Sequence, residues 1–354
     1  MKHLKLGIIG FGFMGQWHNN HAGTMEEVDI TAICDMDPAK LEKAEGAMAK
    51  YEDYHDLLKD PNVEWVMISV PNHLHRQVAL DAARAKKHMI VEKPCAMNVA
   101  EFDEMYRAAQ DNGVLFTVDQ NRRWDRDYSV VKKVLEEGKL GNLYMIRSSH
   151  YGVFGKMHDW HVYPECGGGM LYDWGVHLID QMLELIPGRI VRIAADMKEV
   201  VNEVDDYFKL WFYFDHGLTA EIELGTLLLK HMPRWYVSGD QGTLVVENIK
   251  ADEGALYFPT GFRPSLPETV KNLDAGPTRT FSSKPEEAVR EEPIPEVKQK
   301  HNDWNDFFRN VIGVINGTEE MAVKPEQVRR VLQVMELVRR AGESRTVIEC
   351  PEGI

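Results

Sequence analysis

Three residues of this 354-residue chain have the side-chain types and spacing of a proton-transfer site: Lys93, Asp173 and His177. Lys93 follows a β-rich run, and ligands bind at the carboxyl ends of strands in open α/β sheets. Asp173 and His177 are four residues apart, so on a helix they share a face and the carboxylate can orient the imidazole. The imidazole can take a proton from an alcohol, while Lys93 places positive charge beside the forming alkoxide or relays the proton. Each residue alone is more often a solvated charge or a structural hydrogen bond, so the prediction depends on a cofactor site beside them.

A glycine-rich turn predicts that cofactor site. Residues 10–15 fit G-x-G-x-x-G, in which Gly10 permits a tight turn, Gly12 lets backbone approach a pyrophosphate, and Gly15 allows close helix–strand packing. Asp35 ends the next β-rich run, where an acidic residue holds the ribose hydroxyls. A carboxylate there repels a 2′-phosphate, so the sequence predicts NAD rather than NADP. Asp37 could share this role, although Asp37-Pro38 is first interpreted as a helix cap.

The elements that must position these motifs alternate in the first third of the chain. Strands of β-branched residues separated by amphipathic helices are typical of βαβ units on a doubly wound parallel sheet. The predicted strands are Lys5–Ile9, Asp29–Cys34, Glu64–Val70, His88–Val91 and Val114–Val118. Four helices are predicted between these strands. The first follows the glycine turn, the second runs from Pro38 to about Lys50, and the third runs from Pro71 through Ala85. The fourth begins at an Asn98/Glu101 capping box and ends at Gly113.

The pattern changes after about Asn121, where longer strands follow one another with fewer helices. We therefore predict a Rossmann domain over residues 1–122 and an α+β domain with a large, mainly antiparallel open sheet over residues 123–354. A closing helix over residues 325–340 could pack back on the first domain. Asp215-His216-Gly217 predicts a hairpin turn. The predicted strands are Leu143–Tyr151, Ile190–Met197, Asp206–Phe214, Leu218–Gly225, Trp235–Ser238 and Thr243–Val246.

Composition narrows the class of protein. The formal net charge of −15 disfavours nucleic acid or an anionic membrane surface as a partner. Four scattered cysteines without a C-x-x-C pair argue against a disulfide framework or a cysteine zinc site and favour the cytoplasm. The apolar run 4–14 is broken by glycines, lacks a cleavage site and is too short to span a bilayer.

The motifs together resemble the Gfo/Idh/MocA oxidoreductases, the group of glucose–fructose oxidoreductase and inositol dehydrogenase. The resemblance rests on the glycine turn, on Glu92-Lys93-Pro94, and on Gly167-Gly168-Gly169 followed by Asp173, Gly175, His177 and Asp180. It covers nearly the whole chain. It implies a Rossmann domain followed by a domain whose open sheet often serves oligomerisation, and it implies that Lys93, Asp173 and His177 form the catalytic group.

The resemblance also implies which residues approach the ligands. The cofactor residues lie on the glycine turn and after strands of the first sheet: Gly10, Phe11, Gly12, Phe13, Met14, Gly15, Asp35, Ser69, Pro71, Asn72, His75, Glu92 and Lys93. The substrate residues lie on both domains, in loops that differ across the family: Lys93, Asn121, Arg122, His150, Trp160, Asp173 and His177.

Three other features of the sequence bear on which ligands the protein binds. His158 and His161 could ligate a metal on a helical turn, but no third ligand follows at a suitable spacing, so we expect no metal. Aromatic residues between Tyr151 and Trp174 suit either core packing or a carbohydrate platform. Residues 250–300 are rich in proline and charge and predict an extended excursion with room for a bulky aglycone.

These expectations converge on an NAD-dependent dehydrogenase that reversibly oxidises a secondary ring hydroxyl of a sugar, inositol or glycoside, glycoside 3-oxidation being a special case. One alternative is a glycoside hydrolase that acts through transient oxidation by tightly held NAD. Another is a regulator that binds NAD and sugar without turnover, although such relatives tend to lose the catalytic His or Lys, and both are present here. We expect a homo-oligomer and leave dimer, tetramer and hexamer open.

Overall fold

Two β-sheets organise the chain in the computed structural model, which describes residues 3–152, 154–260, 289–300, 304–350 and 352–354. The first sheet has six strands in the order β3-β2-β1-β4-β5-β6, and every strand pair is parallel. The strand order reverses between β1 and β4, and such a switch point opens a crevice for a ligand. The strands are β1 (Leu4–Ile9), β2 (Val28–Cys34), β3 (Ala49–Tyr51), β4 (Trp65–Ile68), β5 (His88–Val91) and β6 (Phe116–Val118). The helices between them are α1 (Phe13–Ala22), α2 (Pro38–Leu41), α3 (Tyr54–Lys59), α4 (His75–Arg84) and α5 (Val99–Asn112).

The predicted parallel sheet is confirmed, and the Asn98 and Gly113 caps of α5 form as predicted, while the Glu101 side chain accepts the Met97 N–H at 3.0 Å rather than the Asn98 N–H. Asn98 Oδ1 accepts the Glu101 N–H at 2.9 Å, and Gly113 ends the helix with φ of 67°. The predicted helix from Pro38 to Lys50 is wrong, because α2 ends at Leu41 and the chain then forms β3. Gly46 has φ of 116°, which no helix accommodates, and Ala49 pairs with Ala32 on the free edge of β2.

The second sheet has nine strands in the order β14-β13-β12-β11-β7-β10-β9-β8-β15. All its pairs are antiparallel except β7 with β10, so the predicted mainly antiparallel sheet is confirmed. The strands are β7 (Leu143–Tyr151), β8 (Ile190–Lys198), β9 (Tyr207–Phe214), β10 (Thr219–Gly225), β11 (Trp235–Gly239), β12 (Thr243–Val246), β13 (Gly254–Pro259), β14 (Val289–Pro293) and β15 (Ile348–Glu349). The helices are α6 (Arg126–Glu136), α7 (Val176–Leu185), α8 (Asn305–Ile315) and α9 (Pro325–Ser344).

Two loops were predicted in the second domain, the hairpin at residues 215–217 and the excursion over residues 250–300. The hairpin at Asp215-His216-Gly217 forms between β9 and β10, with Gly217 at φ of 89°. The excursion over residues 250–300 contains β13 and β14, which pair with each other at one end of the sheet. Residues 261–288 of that excursion lie outside the described residues.

The closing helix α9 contacts elements of both sheets. Arg329 donates to both carboxylate oxygens of Asp103 on α5, and Glu336 accepts the N–H of Val99 at 2.8 Å. Near the other end of α9, Arg339 donates to the Tyr172 hydroxyl at 2.9 Å. The domain boundary between residues 122 and 123 stays a prediction. None of the described helices combines the length and the apolar character needed to cross a bilayer.

Candidate functional site

The glycine turn lies at the carboxyl edge of the parallel sheet, where β1 passes into α1. A Cβ on Gly10 would lie 2.4 Å from Ser69 O, and a Cβ on Gly15 would lie 2.0 Å from Gly10 O. Gly12 has open space around it, and no side chain caps the N-terminus of α1 there. The first N–H groups of α1 are therefore available to an anion in a space that a side chain would fill, which fits a pyrophosphate.

Asp35 at the end of β2 is bound to the same turn. Its carboxylate accepts the Phe11 N–H at 2.9 Å and the Asp37 N–H at 3.0 Å. Lys40 Nζ lies 3.4 Å from both carboxylate oxygens. Asp37 caps α2 as predicted, accepting the Ala39 N–H at 3.0 Å. Asp35 therefore fixes the turn and presents a carboxylate beside it, with one cation close by.

Lys93 meets Asp173 across 80 residues of sequence. Lys93 Nζ donates to Asp173 Oδ1 at 2.9 Å and to the Asp173 carbonyl at 2.8 Å. Burial alone would raise the pKa of Asp173, but the charge and hydrogen bond of Lys93 outweigh it, and this pKa is lower than usual. The pair therefore remains ionic at neutral pH.

His177 is the second residue of α7 and only 4% exposed. Burial, together with the charges of Lys93 and Arg122, holds its pKa well below 6.5. The imidazole is therefore neutral at neutral pH and can accept a proton. Its Nδ1 has no hydrogen-bond partner among the described residues.

The expectation that Asp173 orients His177 needs correction. Residues Leu171–Gly175 form a π-helical turn that leads into α7, and the Asp173 carboxylate pairs with Lys93. A wide turn changes the facing of residues four apart, and π-turns are frequent at functional sites. Asp173 therefore positions Lys93. Packing positions the His177 ring, and burial and the neighbouring cations lower its pKa.

Aromatic rings and an arginine surround the imidazole. Trp174 stacks on His150 with ring centroids 3.7 Å apart, and the Arg122 guanidinium lies 4.0 Å from the Trp174 ring. Burial and the charges of Arg234 and Arg122 hold the pKa of His150 well below 6.5. Trp160 stacks on His161, whose charge helps to lower the pKa of Asp173. The predicted substrate residues Arg122, His150 and Trp160 thus lie around the Lys93–Asp173 pair.

Three predicted ligand residues are instead buried in the protein. His75 is fully buried, and its ring nitrogens lie 2.9 Å from Pro94 O and 2.8 Å from Val70 O. Asn121 is 4% exposed and donates to Asp119 at 3.1 Å. Glu92 is 5% exposed, and its carboxylate bonds inside the protein. These bonds within the protein support the edge of the sheet, and contact of these three side chains with a ligand stays a prediction.

The residues after β4 keep their predicted position at the edge. Ser69 follows β4, its N–H bonds to Ile9 O at 2.8 Å, and its buried hydroxyl has no partner among the described residues. Pro71 and Asn72 come next, and Asn72 Nδ2 donates to Gly167 O at 3.0 Å. The triple-glycine segment of the second domain is thereby fastened to the cofactor edge of the first.

Sequence reasoning missed the residues that hold the segment 171–185, which carries Asp173 and His177. Asp205 accepts the Leu171 N–H at 2.6 Å on its carboxylate and the Met170 N–H at 2.7 Å on its carbonyl. Tyr172 donates to Met97 O at 2.8 Å and accepts from Arg339. The one signal was the run Asp205-Asp206 in a turn between two strands, which carries no indication of its distant partner.

Comparisons with known proteins agree with this geometry. Residues 4–120 match a family described as an oxidoreductase family with an NAD-binding Rossmann fold, and residues 128–245 match the Gfo/Idh/MocA C-terminal domain. The chain is 27% identical to scyllo-inositol 2-dehydrogenase (NADP(+)) IolW of Bacillus subtilis over 98% of this chain and 96% of that protein. It is 35% identical to inositol 2-dehydrogenase of Salmonella typhimurium over 42% of this chain and 46% of that protein. The solved structure of an NAD-binding protein from Listeria innocua superposes with a TM-score of 0.85 at 31% identity, covering 98% of this chain and 97% of that one.

Proposed function

Because this chain belongs to the Gfo/Idh/MocA family of oxidoreductases, we propose that it reversibly oxidises a secondary ring hydroxyl of a sugar, an inositol or a glycoside with NAD. The observation that carries the proposal is the meeting of Lys93, Asp173 and neutral His177 at the carboxyl edge of the dinucleotide-binding sheet. A cation, a proton acceptor and a cofactor edge are what alcohol oxidation requires.

His177 accepts the hydroxyl proton as the alcohol carbon loses hydride. The nicotinamide ring supplies the hydride acceptor when NAD is bound, so NAD becomes NADH and the alcohol becomes a ketone. Lys93 stabilises the negative charge that develops on the substrate oxygen, and its bond to Asp173 fixes where that charge is met. In the reverse direction protonated His177 returns the proton.

A ring substrate is supported by the side chains around the imidazole. Half-buried Trp160 offers an aromatic ring, and Arg122, which covers the Trp174 ring, brings a donor to the same region. Relatives of this chain are named as inositol 2-dehydrogenases, which act on ring hydroxyls. A glycoside oxidised at its 3-hydroxyl is the special case that the same aromatic segment could hold.

NAD is proposed over NADP because of Asp35. Its carboxylate lies beside the glycine turn and would repel a 2′-phosphate. Lys40, 3.4 Å away, offsets part of that charge, and a relative is named as NADP(+)-dependent. We therefore expect the protein to prefer NAD without excluding NADP.

The test is NADH formation by purified protein incubated with NAD and inositols, free sugars or glycosides in turn. His177→Ala should abolish turnover with the preferred class, while His216→Ala, an exposed histidine of the β9–β10 hairpin, should keep it. Release of an aglycone without net NADH would favour the hydrolytic alternative. Binding of NAD with no turnover of any class would contradict the proposal.

A further inference from the structure

Three ionisable side chains meet in the interior beneath the catalytic lysine. His18 of α1 is fully buried, and Glu92 and Asp119 are 5% and 1% exposed. His18 Nε2 lies 2.6 Å from Glu92 Oε1 and 3.6 Å from Asp119 Oδ2. Phe308 of α8 packs its ring edge-on against His18. We name these three side chains the His18 cluster.

The His18 cluster is joined directly to Lys93. Glu92 precedes Lys93 in the chain, and its second oxygen, Oε2, accepts the Lys93 N–H at 3.1 Å. Glu92 thus connects the buried histidine to the backbone of the lysine that holds Asp173. A shift of the Glu92 carboxylate would move the point from which the lysine side chain starts.

A metal ion does not suit the His18 cluster, although its ligand atoms lie within 4.8 Å of one another. Two ligands of a tetrahedral zinc ion, each about 2.1 Å from the metal, stand roughly 3.4 Å apart. His18 Nε2 and Glu92 Oε1 are only 2.6 Å apart, the separation of a direct hydrogen bond.

We propose that His18 and Glu92 are positioning residues for Lys93: His18 holds the Glu92 carboxylate through a hydrogen bond, and Glu92 fixes the Lys93 backbone and places a negative charge near its ammonium group. The inference rests on the proposed function only in that Lys93 is taken as the catalytic cation.

The electrostatics of the interior agree with this assignment. Burial would raise the pKa of Glu92, but the hydrogen bond and charge of His18 outweigh it and lower this pKa. Burial would lower the pKa of His18, yet Glu92 and Asp119 raise it. Burial and the charge of Glu92 raise the pKa of Asp119 to about 7, so near neutral pH Glu92 is the carboxylate that holds the charge.

Ionisable groups on every element packed around Lys93 influence the charge of its amine. These groups are Glu92 beside it after β5, Asp119 after β6, His18 on α1, Asp173 on the π-turn and His177 on α7. Removal of one negative charge makes the ammonium form less favourable.

The experiment compares wild type with Glu92→Gln, His18→Gln and the double variant. Glu92→Gln should lower kcat about tenfold or more and move the high-pH side of the kcat profile about one unit lower. Glu64→Gln, which removes the same charge from an exposed site before β4, should change neither. Since His18 acts through Glu92, the double variant should be no worse than Glu92→Gln; additive losses would overturn the proposal.

A second readout does not depend on turnover. Competitive acetylation with peptide mass spectrometry measures how readily the Lys93 amine reacts at a fixed pH, and the reactivity should rise several-fold in Glu92→Gln and in His18→Gln. Unchanged Lys93 reactivity in folded variants would overturn the proposal even if kcat fell, because it would show a purely structural role. Failure to find a polyol substrate leaves this readout intact, so the two proposals fail separately. If Glu92→Gln does not fold, His18→Gln gives the same decision alone.

Discussion

The imidazole of His177 lies near cationic side chains, and their effect on its pKa determines how the rate of the proposed oxidation should depend on pH. Burial first, and then Lys93, Arg122 and His150, lower its pKa well below 6.5. A base must be neutral to act, so lowering its pKa extends activity towards acid. We expect kcat/KM to hold at pH 6 and to fall only at lower pH. The measurement is a pH–rate profile on one substrate, and an acid limb centred at pH 6.5 or above would contradict the expectation.

The proposed preference for NAD depends on one carboxylate, that of Asp35. Asp35→Asn removes the charge that would repel a 2′-phosphate and leaves Lys40 nearby without its partner. We expect the KM for NAD to rise about tenfold and the KM for NADP to fall. Asp37→Asn changes the same residue type two positions on, where the side chain caps α2, and should leave the cofactor preference unchanged. An unaltered NAD/NADP ratio in Asp35→Asn would assign the selectivity to other residues.

At the scale of single residues, the sequence predicted where the site residues lie better than it predicted which side chains they bond to. Lys93, Asp173 and His177 come together as motif spacing suggested, because strand ends and helix starts can be located from pattern. The exchange of partners, Asp173 with Lys93 and not with His177, depends on a π-turn that no spacing rule reveals. His75 and Asn121 follow strands at the cofactor edge, yet their side chains point into protein, which only packing determines.

At the scale of elements, strong local signals sufficed where nothing competed with them. The capping box and Gly113 define α5, and β-branched runs define the central strands. The wrong helix over residues 38–50 shows the competing effect: α2 ends at Leu41, Gly46 takes a φ of 116°, and residues 49–51 pair with the edge of β2. Edge pairing is a long-range contact, and local propensity cannot weigh it.

The segment 171–185 is held at its start by Asp205, whose titration should be visible in stability. Burial raises the pKa of Asp205 to about 7, above its usual 3.8. A carboxyl group that binds its proton more tightly when folded stabilises the fold at low pH, and this contribution is lost as pH rises from about 4 through 7. Asp205→Asn mimics the protonated acid and can still accept the Leu171 N–H.

The free energy of unfolding of the variant, relative to that of wild type, should therefore rise by roughly 2–3 kcal/mol between pH 5 and pH 8. Denaturant unfolding at the two pH values measures the difference, and titrations common to both proteins cancel. Asp196→Asn, on an exposed stretch of β8, serves as the matched control and should show no such trend. A stability difference that does not change with pH would refute the role of Asp205 as a titrating cap.

At the scale of the whole molecule, the two sheets are joined by a few polar bridges close to the site. Arg339 of α9, Tyr172 beside Asp173, and Met97 after the Lys93 loop form one chain of hydrogen bonds. Tyr172→Phe breaks both bonds while keeping the ring. We expect a loss of about 1–2 kcal/mol in stability and a lower kcat, because Asp173 is adjacent in the chain. Equal kcat in the variant, measured at saturating substrate, would separate this bridge from catalysis.

The nine-stranded sheet also bears on assembly. Along β9, buried side chains alternate with half-buried ones, so one face packs on this chain's own core and the other is open. Tyr236, Arg147, Glu221 and Trp211 lie in one row across four strands on that open face. Nine strands about 4.8 Å apart and roughly 20 Å long present on the order of 800 Å², close to one partner's share of a standard interface.

We therefore expect an oligomer that forms through this face. Tyr236→Glu places a charge in the row of the open face and should shift the protein towards a single-chain mass in light scattering after size exclusion. Tyr144→Glu is the matched control, because Tyr144 is more exposed, at 58%, and lies outside this row, at the start of β7 where the pairing with β11 shifts register. A sheet face that no second layer of the described residues covers leaves aromatic area in water, and a second copy of the chain can cover it through symmetry. A single-chain mass for wild type, or equal dissociation by both variants, would contradict this assignment of the open face.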